Sequence, residues 1–137
     1  MVVLLLWWSL ACVAAISNGA ANTITVLSDG NRTDCITNSS RTFCYSLSYA
    51  MNHLITDDTT VLLASPKIDV LERIEVHNVS NLTIQGHGID NTTVCYYKDE
   101  IGFFNVSELE ILSLSIQLCE PEHLSNDFNL YVFNCSN

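Results

Sequence analysis

Few residues in this chain have the types needed to carry out a reaction. Asp57-Asp58 and Gly86-His87-Gly88 offer two carboxyls and an imidazole. That combination suits hydrolysis of a glycosidic bond, where one carboxylic acid protonates the leaving oxygen and a carboxylate activates water. A second chemistry, elimination from an acidic polysaccharide, needs several carboxylates around a calcium ion and a basic side chain to take a proton. The acids available are Asp69, Glu72, Glu75, Asp90, Asp99 and Glu100, and the bases are Arg32, Arg41, Lys67, Arg73 and Lys98. The acids show no calcium-loop spacing, and nothing in the sequence sets a base beside an acidic cluster. His53, His77, His87 and His123 are scattered, and no Cys-x2-Cys pair accompanies them, so no zinc site is read. The plainer reading makes Asp57-Asp58 a solvated turn and Gly86-His87-Gly88 a tight turn after a strand. No catalytic residue, metal or cofactor is assigned.

Asparagine and cysteine carry more information. Seven sequons of the form Asn-x-Ser/Thr begin at Asn31, Asn38, Asn78, Asn81, Asn91, Asn105 and Asn134. Each is an acceptor pattern for N-glycans, and together they point to an exported eukaryotic glycoprotein. Asn31, Asn38 and Asn91 fall in turns. Asn78 and Asn105 share one phase of a repeat, where two readings stand: glycans on an outer rim, or an inward hydrogen-bonded amide ladder. Cys35 and Cys44 bracket a small loop that a bridge would close. Cys95 and Cys119 are read as a structural bridge rather than a reactive pair. Cys12 leaves with the N-terminal segment, and Cys135 is expected to find its partner beyond Asn137.

That segment, residues 1–21, reads as a signal peptide. Val2 to Ala15 is nearly all apolar, and small residues from Ala14 to Ala21 offer cleavage sites. The run is shorter than the ~20 apolar residues of an ordinary membrane span. No second such run follows, so no membrane association beyond the signal is expected. The chain holds 15 acidic and 5 basic residues, a formal net charge of -10. This balance argues against nucleic acid and anionic membranes as partners.

Whatever these side chains do, β-strands must hold them. His77-Asn78-Val79-Ser80-Asn81-Leu82-Thr83-Ile84 returns as Phe104-Asn105-Val106-Ser107-Glu108-Leu109-Glu110-Ile111, and Phe133-Asn134-Cys135-Ser136-Asn137 opens a third copy. The intervals, Asn78 to Asn105 to Asn134, are 27 and 29 residues. A turn followed by an alternating strand at such a period is the mark of a solenoid. Strands are predicted at 61–63, 73–76, 81–85, 92–97, 114–118 and 128–132. One helix is predicted from Phe43, Leu47, Ala50, Met51 and Leu54, with Thr42 as its N-cap, after a polar loop over 28–41. The fold class is therefore all-β: the start of a right-handed parallel β-helix with a short N-terminal capping helix. Residues 22–58 form the cap, and 59–137 form incomplete repeats. A short jelly-roll or sandwich lectin would share the strand content but not the period.

Cys35-x8-Cys44, the following Leu47-Ser48-Tyr49-Ala50-Met51-Asn52, the segment Asn78 to Gly86, and Gly102-Phe103-Phe104-Asn105-Val106-Ser107 with Cys119 downstream carry a resemblance. The chain resembles the N-terminal part of secreted right-handed β-helix, or pectin-lyase-like, ectodomains over residues 35–137. With the repeat, the sequons, the signal and the lack of a catalytic set, the expectation is a secreted or cell-surface glycoprotein segment whose role is non-catalytic extracellular binding or scaffolding, with carbohydrate or protein as ligand. The alternative is the N-terminal part of a polysaccharide lyase or glycoside hydrolase of the same fold, with its catalytic coils missing. Polygalacturonase-type β-helices combine paired aspartates and a His-Gly segment with Asn-Thr-Asp and Arg-Ile-Lys segments. The last two are absent here.

Overall fold

Residues alternating between apolar and polar at period two favour strands with one buried face. In a computed structural model, which describes residues 22–28, 34–97, 100–119 and the backbone of 130–133, this pattern dominates, and the described residues form twelve strands and one short helix. The expected signal segment over residues 1–21, with Cys12, and Asn31, Arg32, Lys98, Asp99, His123, Asn134 and Cys135 lie outside the described residues.

The described chain opens with β1 (Asn22–Val26), followed by an antiparallel hairpin of β2 (Cys35–Asn38) and β3 (Arg41–Cys44). The polar loop expected over 28–41 is thus cut short. Cross-strand pairs Ile36–Phe43 and Thr37–Thr42 give a polar stretch its ladder, Ser39 turns it at φ 56°, and β3 gains a parallel partner in β1. The helix differs for the same reason. It is α1 (Leu47–His53), capped by Ser46, whose Oγ accepts from the Tyr49 N–H at 3.2 Å. Phe43 and Cys44 are held in β3, so helical spacing there yields to sheet pairing, and Thr42 is not the cap.

Seven residues are too few for a stable isolated helix, so packing must hold α1 in place. Leu47, Ala50 and Met51 are buried. Ser48 Oγ donates to the Glu72 carbonyl at 3.2 Å. Asn52 donates from Nδ2 to the Arg73 carbonyl at 2.8 Å and accepts from the Glu75 N–H at 3.0 Å. One amide side chain thereby serves an edge strand as a neighbouring backbone would.

Three circuits follow. The first is β4 (Thr59–Leu63), β5 (Lys67–Val70) and β6 (Ile74–His77). The second is β7 (Ser80–Gln85), β8 (Thr93–Tyr96) and β9 (Ile101–Phe104). The third is β10 (Ser107–Leu112), β11 (Ser115–Leu118) and β12 (Leu130–Phe133). Successive strands lie in different sheets. The sheet orders are β10-β7-β4-β1-β3-β2, β11-β8-β5 and β12-β9-β6, with every pairing parallel except β2–β3. Ser107 pairs with Ser80 and Phe104 with His77, the same interval that separates Asn105 from Asn78. The sequence repeat is therefore a repeat of register.

Buried side chains stack in columns through this register. Ile24, Val61, Ile84 and Ile111 form one, Ile68, Val94 and Ile116 another, and Val76 pairs with Phe103. Burial is complete in the middle, where Leu82 is 0% and Phe103 2% exposed, and falls off in the third circuit, where Leu109, Ile111 and Ile116 are half-buried. The corners repeat as well. Asp58, Asn81 and Glu108 all have φ near 56°, as do Asn78 and Asn105 near 52°. Asn and Asp adopt this left-handed region with least strain among non-glycine residues.

Candidate functional site

The sequence singled out Asp57, Asp58 and His87, and the structure keeps the aspartates apart from the histidine. Asp57 Oδ1 accepts from the Ser80 N–H at 2.8 Å, and Asp58 Oδ1 accepts from Asn81 Nδ2 at 2.8 Å. Thr59 pairs with Leu82, so Asp58 is level with Asn81 at the start of β7. His87 lies past the other end of that strand, roughly 20 Å away at the rise of an extended chain. A histidine acting with those carboxyls on one glycosidic bond would have to reach the same substrate atoms within hydrogen-bond distance. Asp57-Asp58 is a corner that ties the first circuit to the second. Gly86-His87-Gly88 is likewise a turn. The His87 N–H donates to Thr92 Oγ1 at 2.9 Å, and Gly88 sits at φ 143°. A Cβ on buried Gly86 would come within 2.5 Å of the Ser113 carbonyl oxygen, so a glycine is required where the next circuit passes.

Among the described residues, basic and acidic groups do meet, in two clusters that sequence spacing did not mark. On the sheet of β5 and β8, Lys67 Nζ lies 3.1 Å from Asp69 Oδ1, and the Tyr97 hydroxyl donates to the same oxygen at 2.6 Å. Lys67 Nζ also reaches the Tyr97 oxygen at 3.4 Å. Burial by itself would push the Asp69 carboxyl up, but the hydrogen bonds from Tyr97 and Lys67 together hold it below the usual carboxylate range. The hydrogen bond to Asp69 is the main reason that Tyr97 and Lys67 both sit above their ordinary values.

On the sheet of β6 and β9, Arg73 bridges Glu75 at 2.6 Å and Glu100 at 3.1 Å, and His77 Nε2 lies 3.7 Å from Glu75. The His77 and Phe104 rings stack at 4.6 Å and 11°, the separation of adjacent strands. The Phe104 ring leans along its strand over Gly102, where a Cβ would come within 2.6 Å of it. Beyond the strand ends, Asn105 Nδ2 donates to Asn78 Oδ1 at 3.2 Å. Both asparagines are exposed, so an amide ladder exists, but on the outside rather than the inside. Sequence spacing assigned Tyr97 no partner, and it marked Phe104 and Gly102 only as parts of a coil-like segment. Tyr97 and Phe104 matter through contacts across strands more than twenty residues apart, and Gly102 through the Phe104 ring beside it in the same strand.

Cys35 is bridged to Cys44 across the β2–β3 pair, and Cys95 is bridged to Cys119, which links the second circuit to the third at a Cα separation of 5.4 Å. Two disulfides fit an oxidising compartment. Asn38 is exposed at the hairpin tip and Asn91 is exposed in the loop before β8, whereas Asn81 is half-buried. Glu72 and Asp90 are exposed.

Among the described residues no three His, Cys, Asp or Glu side chains converge to hold a metal, and no helix is long and apolar enough to cross a membrane. A partly open cavity lined by Met51, Ile74, Val94, Phe103 and Ile111 has a volume of about 30 Å³, and its lining is wholly apolar, with no polar group to orient a ligand. Recognition by the described residues would use the outer faces, which carry the two charged clusters. No protein-family model, no curated protein and no solved structure matches this chain.

Proposed function

We propose that this chain is the capped start of a right-handed parallel β-helix of the pectin-lyase-like kind, in a secreted or cell-surface glycoprotein whose role is extracellular binding or scaffolding. The observation that carries the reading is the parallel register of three sheets visited in chain order, at the interval of the sequence repeat. Right-handedness follows the general preference of parallel crossovers. A stack of this kind presents flat outer faces with side chains at strand spacing, suited to an extended carbohydrate or a protein surface. A net charge of -10 repels acidic polymers, so neutral or cationic ligands are favoured. The alternative, a lyase or hydrolase, draws no support from Asp57, Asp58 and His87, which serve turns at opposite ends of the paired strands β4 and β7.

The test uses the chain expressed in eukaryotic cells with its own N-terminus. The expected outcome is protein in the medium with a new N-terminus between residues 16 and 22. On immobilised neutral, cationic and anionic polysaccharides it should bind one of the first two. Binding should be lost in the variant Asp69→Ala/Glu75→Ala, which removes a carboxylate from each of the two charged clusters, without loss of secretion. Retention in the cytosol would overturn the location. Release of unsaturated or reducing ends from polygalacturonate would overturn the non-catalytic role.

A further inference from the structure

Five sequons fall on described residues, and the structure treats their asparagines differently. Attachment of an N-glycan transfers an oligosaccharide from a lipid pyrophosphate. The asparagine Nδ2 forms a bond to the anomeric carbon as its bond to the phosphate oxygen breaks. Lipid pyrophosphate leaves, and the nitrogen gives up one proton. The modified nitrogen keeps a single N–H and carries a bulky substituent that must stay in solvent.

Asn81 is poorly placed for that. It is half-buried at φ 57°, and its Nδ2 donates to Asp58 Oδ1 at 2.8 Å across the boundary between the first and second circuits. A carboxylate only accepts, so Asn81 must present its nitrogen there and cannot turn its amide over. The register places Asp58 on one side of it and Glu108 on the other. A sugar on this nitrogen would have to stand between two acidic side chains, at a contact that joins circuits.

Asn38 and Asn91 lack this constraint. Asn38 is exposed at the hairpin tip and uses its Oδ1, which accepts from Ser39 Oγ at 3.4 Å. Asn91 is exposed, and its Nδ2 reaches the His87 carbonyl at 3.5 Å within its own turn, so losing that bond disturbs no neighbouring circuit. The Asn78–Asn105 bond survives if both amides turn over, so it does not choose between those two.

We propose that Asn38 and Asn91 carry N-glycans and that Asn81, although its sequon is complete, stays bare because its amide nitrogen belongs to Asp58. This deepens, and rests on, the glycoprotein reading. A chain modified at Asn81 before folding cannot close its second circuit on the first, so it is absent from the folded, secreted product.

The test is glycan-site mapping of the secreted full chain by enzymatic deglycosylation in heavy-oxygen water and mass spectrometry. It is paired with the intact masses of three variants. Asn38→Gln and Asn91→Gln should each lose the mass of one glycan. Thr83→Val, which destroys the Asn81 sequon but keeps the amide, should lose none. A glycan on Asn81 in the secreted protein, or a glycan lost in Thr83→Val, would overturn the proposal. Asn38 or Asn91 found bare beside other occupied sequons would overturn it too. A secreted chain with no glycan at any sequon would instead sink the glycoprotein reading, and the proposal with it.

Discussion

Single residues at the corners hold the circuits together. Asn81 combines a left-handed backbone with a charge-assisted hydrogen bond to Asp58. Replacing it with alanine loses the bond and adds backbone strain, so Asn81→Ala should lower stability by about 2–3 kcal/mol. Asn81→Gly should recover about 1 kcal/mol of that, because glycine adopts the conformation freely. Chemical denaturation of the two variants side by side reads the difference. The Lys67–Asp69–Tyr97 cluster is expected to show in the pH dependence of stability. The Asp69 carboxyl is held low, so its contribution is full above the unfolded carboxylate value and is lost as pH falls through the folded one. Tyr97 is raised, so its contribution is full below the unfolded phenol value and is lost as pH rises through the folded one. The difference in Tm between the wild type and Tyr97→Phe should therefore be largest between the carboxylate and phenol ranges and shrink on both sides. A difference that is flat with pH would mean that the cluster contributes nothing.

Among the elements, α1 and the Cys95–Cys119 bridge fasten the two ends of the stack. Asn52 satisfies the edge of β6 with a donor and an acceptor, and the bridge ties β8 to the segment after β11. Closing a loop over 24 residues of separation removes unfolded-state freedom, so Cys95→Ser/Cys119→Ser should lower stability by about 3 kcal/mol. Thermal unfolding with and without reductant measures it. The elements also show where sequence patterns were readable. Alternation marked Thr83-Ile84 and Ile74-Glu75-Val76 correctly because one face of each strand is buried. The helix start was misplaced because Phe43 fits a helical stripe as well as a strand. What decides is that β1 lies alongside, and no local pattern records that.

Across the entire stack, burial is graded. The interior residues of β4 and β7 are fully enclosed, whereas Leu109, Ile111, Leu114 and Ile116 of the third circuit are half-buried, and Leu112 and Leu118 are 42% and 40% exposed. A strand paired on one side opens more readily than one paired on both, and among the described residues β10 and β11 are paired on one side whereas β4 and β7 are paired on both. Amide hydrogen exchange should therefore be slowest in β4 and β7 and fastest in β10 and β11. Equal protection in all three circuits would show that the array unfolds only as one unit.

The chain's own pattern was enough to establish a β-rich architecture with one short helix, the repeat, and cysteines spaced to bridge. Period, alternation and turn chemistry are local properties of the backbone and are written in consecutive residues. Folding settled the rest. It paired Asn105 with Asn78 on the outside, set Tyr97 against Asp69, stacked Phe104 on His77, and turned Asp57-Asp58 from a possible reactive pair into a corner. Each of these depends on which residue of one circuit lies beside which residue of the next, and that register arises only when the circuits stack.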